Sequence, residues 1–351
     1  MEKKLKFLFI TKDCAGSFFS IQKGLKDLGH ECDFIFEPGA YDKSIHKPFR
    51  SSSWLPRLTE SIKAKVCSKK FKGFSGIIKR ILSSILKKIN KRIDLFMIYC
   101  KKYDVVIVPF GHNTGLPSML KYYPENEKLF KLHKRKGRKV VSIFFGSDAR
   151  PPAIDGTVTT RFNIDEIYKQ TLINKKNIEI AEKYSDHIIA QVHHNLVFNK
   201  PFINYCLFMQ SFWNFYNIEY NENKQLEQEI IIQHSPSNRK GKGSDIIKQV
   251  IDELRMDGYT FKYFEAYDMT HEDVVRNVAK AHIFIDCLYS DVVLTASSSE
   301  AAFYGAAVII GGHELDKLSE FLPKEKIPPF LYIKPNPEEL KQQLITLLTQ
   351  H

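Results

Sequence analysis

The stretch His234-Ser-Pro-Ser-Asn-Arg-Lys-Gly-Lys-Gly-Ser244 decides how the chain is read. It follows the apolar run Ile230-Ile231-Ile232 and precedes a helical pattern from Asp245 to Met256. That context is strand, tight loop, helix start. Such a loop gathers backbone N–H groups at the positive end of a helix, where anions bind. Arg239 and Lys242 add two cations, Gly241 and Gly243 let the backbone approach a ligand, and Ser244 is placed as the helix N-cap. Ser237 and Asn238 share the loop and the candidate site. The stretch reads as a cradle for a diphosphate; the bland alternative is a solvated basic turn.

Downstream the same grammar continues. Strands are expected at Glu229–Gln233, Thr260–Phe264, His282–Asp286 and Ala307–Ile310, with a helix from His271 to Ala281 between the second and third. A polar stretch, Ser290-Asp-Val-Val-Leu-Thr-Ala-Ser-Ser-Ser-Glu300, runs into a small-residue helix, Ala301 to Ala306. Ser297, Ser298 and Ser299 stand at its start, where N–H groups can also meet phosphate. The last segment, Pro337 to Thr349, is helical.

Upstream, Leu5–Ile10, a glycine-bearing loop containing Gly16, a helix from Phe18 to Leu28 and a strand at Cys32–Phe36 form a βαβ opening, which implies a parallel sheet. The loop lacks the triple-glycine dinucleotide signature, so a nicotinamide or flavin site is not supported. Strands at Asp104–Pro109 and Val140–Phe145 end in polar tips carrying His112 and Gly146-Ser-Asp-Ala-Arg150. Carboxyl ends of parallel strands carry sites, so His112 is a candidate. Asp148 and Arg150 either pair with each other or hold a substrate hydroxyl and phosphate. A helix over 164–185, strands at His187–Val192 and Tyr205–Gln210, and a polar linker over 214–228 complete the first half. The domains are therefore 1–213 and 229–336, with 337–351 as a closing helix placed back on the first domain.

The 351 residues suit two domains, and 43% hydrophobic with 26% charged residues describes a globular chain. The six cysteines are scattered without metal-type spacing, and a metal site is not expected. No window reaches the length of a membrane span, and the apolar part of the first ten residues is too short for a signal peptide, so a cytoplasmic location is expected. The net charge of +12 is not evenly spread: Arg57 to Lys102 carries 14 basic residues against two acids, a surplus equal to the whole excess. Within it, apolar residues from Phe74 to Met97 fall at helical spacing, opposite Lys79, Arg80, Lys87, Lys88, Lys91 and Arg92. Such a helix is either a packing helix with a solvated face or an interfacial helix on anionic lipid.

Two motifs carry a family resemblance. The opening stretch resembles an H-x-P-S-N-(x)-K-G form of a basic phosphate loop, and Glu300-Ala-Ala-Phe-Tyr-Gly-Ala-Ala-Val-Ile-Ile is similar to E-A-M-A-x-G-x-P-V-I. In order and at this spacing they resemble the donor domain of GT-B glycosyltransferases of the retaining, nucleotide-sugar kind, over about residues 229–335. The first half resembles them in architecture and in its G-S-D-x-R tip. The resemblance implies an α/β fold of two Rossmann-like, doubly wound domains facing a cleft. It implies that residues 1–213 bind the acceptor, with Asp148 and Arg150 as the acceptor-binding candidates, and that Arg239 and Lys242 bind the donor diphosphate, with Gly16 also on the donor side. It further implies that Glu300 holds the ribose hydroxyls, that His112 lies near the reacting sugar, and that no metal or other cofactor is needed. Asp291 stands one residue from the position, Val292, where the family often has a second acid. A proline of the family pattern is Ala307 here.

The expected function is transfer of a sugar, with retention, from a nucleotide diphosphate sugar to a glycan or lipid-linked glycan acceptor of bacterial surface polysaccharide such as capsule or lipopolysaccharide, at the cytoplasmic membrane face. A nucleotide-sugar epimerase of the same fold is the alternative. A basic membrane- or RNA-binding module without catalysis is a third reading. The basic side chains share a helix with a wide apolar face and no nucleic-acid motif is recognised, so nucleic acid is not an expected partner.

Overall fold

The computed structural model describes residues 3–10, 17–35, 102–110, 123–144, 146, 148–190, 197–204, 218–220, 224, 229–289 and 293–349. They form two parallel sheets joined by helices. The first unit runs β1 (Lys6–Ile10), α1 (Ser17–Asp27), β2 (Glu31–Ile35), β3 (Val105–Phe110), α2 (Tyr123–Arg135), β4 (Lys139–Phe144), α3 (Gly156–Thr159), α4 (Ile164–Tyr184), β5 (His187–Ala190) and β6 (Ile203–Asn204). The second runs β7 (Ile231–His234), α5 (Arg239–Lys242), α6 (Ser244–Met256), β8 (Lys262–Glu265), α7 (His271–Val278), β9 (Ile283–Ile285), α8 (Ala296–Phe303), β10 (Ala307–Gly311), α9 (Leu318–Phe321), β11 (Leu331–Ile333) and α10 (Pro337–Thr349).

The sheet orders are β2-β1-β3-β4-β5-β6 and β11-β10-β9-β7-β8, and the pairings are parallel. Both follow the order second, first, third, fourth, fifth. The direction of winding reverses beside β1 and β3 in one sheet and beside β7 and β9 in the other. In sheets of this kind the point of reversal, at the carboxyl ends of the strands, is where ligands bind.

Each sheet is covered on both faces, as parallel sheets require. In the first, Leu8, Val106 and Val108 pack with Phe130, Ile178 and Ala181 of α2 and α4, while Phe9, Ile107 and Ile143 meet Ile21 and Leu25 of α1. In the second, Ile232, Ile283, Ile285 and Ile309 pack against α6 and α10 through Ile247, Ile251, Leu340 and Leu344. Its other face sets Phe284, Val308 and Ile310 against Val275, Val278, Ala301 and Tyr304 of α7 and α8. Each fully buried aliphatic or aromatic side chain contributes about 1.5–3 kcal/mol.

Three expectations change. The closing helix α10 packs on α6 of the second unit, with Lys341 bridging Glu253 and Asp257, instead of returning to the first. In the stretch expected to be a linker, Ile218 packs on the second core, the buried Lys224 ammonium donates to the Tyr304 carbonyl, and the Lys224 carbonyl accepts from His282 Nε2 at 2.8 Å. The small-residue helix begins at Ala296, five residues earlier than its apolar pattern indicates. Thr295 caps it in a box with Ser298, each side chain meeting the other's backbone N–H. A serine replaces the usual acid at the third position of that box, so the signal is faint. The strand expected at Tyr205–Gln210 lies outside the described residues.

Candidate functional site

The loops after β7 and β9 meet at the reversal point of the second sheet. After β7, Asn238 caps α5 by accepting from Gly241 N at 2.7 Å. One turn later Gly243, at φ +78°, ends α5 and starts α6, so the N-cap is Gly243, and Ser244 is the first helical residue. A left-handed residue is needed to join two helices this tightly, and glycine supplies it. Its missing side chain also admits Leu288, which would lie 3.0 Å from a Cβ. Ser244 turns inward instead of capping. Its hydroxyl lies 2.8 Å from His234 Nε2, and His234 Nδ1 lies 2.8 Å from the Ile285 carbonyl. The carbonyl only accepts, so Nδ1 carries the proton and Nε2 accepts from Ser244. Burial pushes the pKa of His234 down to about 4 and keeps the ring neutral.

Lys242 and Arg239, equal in the sequence, are unequal here. Lys242 Nζ lies 2.7 Å from Asp286 Oδ1, with the lysine side chain 19% exposed and the aspartate fully buried. Burial disfavours charge on both, but each partner's field outweighs it: Lys242 is held above, and Asp286 below, its ordinary pKa. Arg239 is 45% exposed, bonded through Nε to Glu265 Oε1 at 3.0 Å and poised over the Tyr267 ring. Ser237 and Lys240 are exposed.

Asp286 is the residue that sequence reasoning passes over. Its Oδ1 also accepts from Ser297 Oγ at 3.2 Å, and its Oδ2 accepts from Thr295 Oγ1. One carboxylate therefore ties the basic loop to the start of α8. Four residues past that start, Glu300 is buried, with Oε1 2.9 Å from His271 Nε2 at the first turn of α7. Ser298 and Ser299 spend their hydroxyls on the Thr295 carbonyl, at 3.0 and 2.6 Å. The available signal for Asp286 was its position, an acid at the carboxyl tip of an apolar strand. Nothing in the sequence marks His271 beyond a helix start.

The first unit approaches this loop directly. Gly156 leaves no room for a methyl group, since a Cβ would stand 2.8 Å from Tyr289 Cβ; at Gly241 it would meet Arg161 Cδ at 3.0 Å and the Thr157 carbonyl at 3.3 Å. Gly241 thus makes space for α3, where the sequence reading gives it to a ligand. Arg150 pairs with Asp155, Nε to Oδ2 at 2.9 Å, and Asp155 caps α3 with its other oxygen. Asp148 accepts from Gly146 N at 2.7 Å. Gly16 and His112 follow β1 and β3, beside the reversal point of the first sheet, but lie outside the described residues. So do Asp291 and the stretch expected to form a basic helix, with Lys79, Arg80, Lys87, Lys88, Lys91 and Arg92.

No protein-family model and no curated sequence matches the chain. Two solved structures align with nearly all of it. One is S. aureus MnaA with UDP, 10% identical, with a TM-score of 0.50, covering 99% of this chain and 88% of that one. The other, from Listeria monocytogenes and described as a UDP-N-acetylglucosamine 2-epimerase, is 8% identical, with a TM-score of 0.51 and coverages of 99% and 89%. The chain has the GT-B fold. Among its described residues, no helix is long and apolar enough to cross a membrane.

Proposed function

We propose that the second unit binds a nucleoside diphosphate sugar, and that the protein transfers the sugar, with retention, to a glycan or lipid-linked glycan acceptor of a bacterial surface polysaccharide. The observation that carries this reading is the Asp286 carboxylate, which joins a buried lysine to the helix bearing a buried glutamate. Those are the two chemistries a nucleoside diphosphate needs. An ammonium group has three donors, so Lys242 keeps donor capacity for a phosphate oxygen while Asp286 fixes its position. A carboxylate such as Glu300 accepts from vicinal ribose hydroxyls. As the bond from sugar to diphosphate breaks, negative charge grows on the leaving group. A cation already held in place stabilises that state without reorganising, and no metal is invoked. Arg239, half-exposed at the rim, adds charge from outside.

The test is a thermal-shift and calorimetric screen of nucleotides and nucleotide sugars on the full chain, followed by product analysis with the donor that binds. A ligand that binds the native state raises its melting temperature by mass action. Absence of any stabilising nucleotide sinks the reading.

A second reading, interconversion of the sugar on its nucleotide, is favoured by the fold likeness to the Listeria protein described as an epimerase. Proton NMR of the donor alone separates the two: an epimerase changes the sugar configuration without an acceptor, a transferase does not. The basic segment from Arg57 to Lys102 supports a peripheral position on an anionic membrane, at about 1 kcal/mol per basic residue near the surface. Vesicle flotation with Lys87, Lys88, Lys91 and Arg92 replaced by glutamine tests it; unchanged flotation rejects it.

A further inference from the structure

Arg150 has one hydrogen-bonding edge too many for a structural role. Its Nε is spent on Asp155 at 2.9 Å, yet NH1 is buried with no hydrogen-bond partner among the described residues, and the side chain is only 10% exposed. A guanidinium group has five N–H donors in a fixed fork, and burying some of them without an acceptor is unfavourable. The rest of its surroundings are ordered: Asp155 caps α3 through Thr157 N at 3.0 Å, and Asn174 Nδ2 donates to the Arg150 carbonyl at 3.2 Å. The uncommitted edge is therefore held in place.

Its location gives it a use. Asp155 and α3 lead directly to the junction, where Gly156 abuts Tyr289 and Thr157 and Arg161 abut Gly241 of the basic loop. The Arg150 charge is felt at Lys242 and Cys287 across that junction, as a small contribution beside burial and the Asp286 carboxylate. Each unit thus brings one cation to its side of the junction, each with its own carboxylate: Arg150 with Asp155, and Lys242 with Asp286. Both cations are paired, and what they have left to offer is donor capacity: the NH1 edge of Arg150 and the remaining N–H groups of Lys242, which an anion's oxygens accept.

We propose that Arg150 is a further cation of the diphosphate site, supplied by the first unit, and that its NH1 edge takes a phosphate oxygen alongside Lys242 so that the ligand ties the two units together. This rests on the diphosphate reading given above. It also moves Arg150 from the acceptor side, where its loop placed it in the sequence, to the donor.

The experiment is isothermal calorimetry on the full chain with UDP, GDP, ADP and dTDP, each against its nucleoside, and with inorganic pyrophosphate. The parent, Arg150→Gln, Arg150→Lys and Lys242→Ala are compared. The expected result is that Arg150→Gln weakens the nucleoside diphosphate by about tenfold or more and leaves the nucleoside unchanged, with partial recovery in Arg150→Lys. If Arg150→Gln does not fold, Arg150→Lys carries the test through its own loss on the diphosphate relative to the nucleoside. Two results overturn the inference while leaving the diphosphate reading intact. One is a loss confined to Lys242→Ala, with Arg150→Gln within about twofold of the parent. The other is an equal loss of nucleoside and diphosphate in Arg150→Gln, which marks a purely structural residue. A parent that binds none of the diphosphates rejects the reading and the inference together.

Discussion

The two sheets have the same strand order, yet the polar groups beyond their strand ends are organised differently. In the second unit, one buried carboxylate collects three partners from two loops, and a neutral histidine locks the first helical residue to the neighbouring strand. In the first unit, the described polar groups beyond β4 form short-range pairs: Asp148 with Gly146, and Arg150 with Asp155. The difference teaches that topology makes the reversal point, but chemistry is added separately to each. The second unit is preorganised around its own loop, while the first presents a single uncommitted guanidinium edge to its neighbour.

The comparison breaks first at Asp286. Replacing it with alanine leaves Lys242 buried without its counter-ion, which costs about 3–5 kcal/mol when one partner of such a pair is removed. Chemical denaturation is expected to show that loss, and calorimetry the loss of diphosphate binding. A stable Asp286→Ala protein with unchanged binding would mean that the hub is ornamental. The next effect is the pH dependence of His234. Its pKa falls from 6.5 to about 4 on folding, so the unfolded chain binds the proton more readily between those values. Stability contributed by the neutral ring is complete above about 6.5 and declines as pH falls towards 4, by roughly 3 kcal/mol in total. Buried His133, pushed down to about 3, adds a second decline of the same sign. Denaturation midpoints from pH 7 to 4 are expected to fall less steeply, by one proton's worth, in His234→Gln than in the parent; an unchanged slope removes His234 from the account.

Smaller effects sharpen the division of labour within the second unit. Glu300→Gln is expected to weaken the nucleoside portion of the ligand by about tenfold and to leave pyrophosphate binding as it is, because the glutamate lies on the ribose side of the proposed site. Equal loss of both would contradict that division. Arg239→Ala is expected to cost only a few-fold in diphosphate affinity, with a strong dependence on salt, since the side chain is 45% exposed and screened. A loss as large as that of Lys242→Ala would show that exposure is a poor guide here.

Much of this was legible in the chain itself. The β7 strand, the basic loop and α6 follow from an apolar run, two glycines and an amphipathic pattern, because local sequence determines each of them. Glu300 was singled out through the resemblance of its motif, and the structure buries it beside His271. Charge partners were not legible, because they are settled in three dimensions: Asp155 and Asp148 are both close to Arg150 in sequence, and only the fold of α3 selects Asp155. Strand β11, three residues following Pro328 and Pro329, is too short for periodicity and owes its existence to the edge of β10. The close approach of Thr157 and Arg161 to Gly241 was not legible, because those residues lie some eighty positions earlier in the chain.

Gly156 and Gly241 carry a consequence for mechanics. Both are points where opposing parts of the molecule touch main chain to main chain or main chain to side chain, and each would lose that fit on gaining a single carbon. The spacing between the units is thereby gauged by two absent methyl groups. Alanine at either position acts as a shim at the junction, adding bulk without adding or removing a charge.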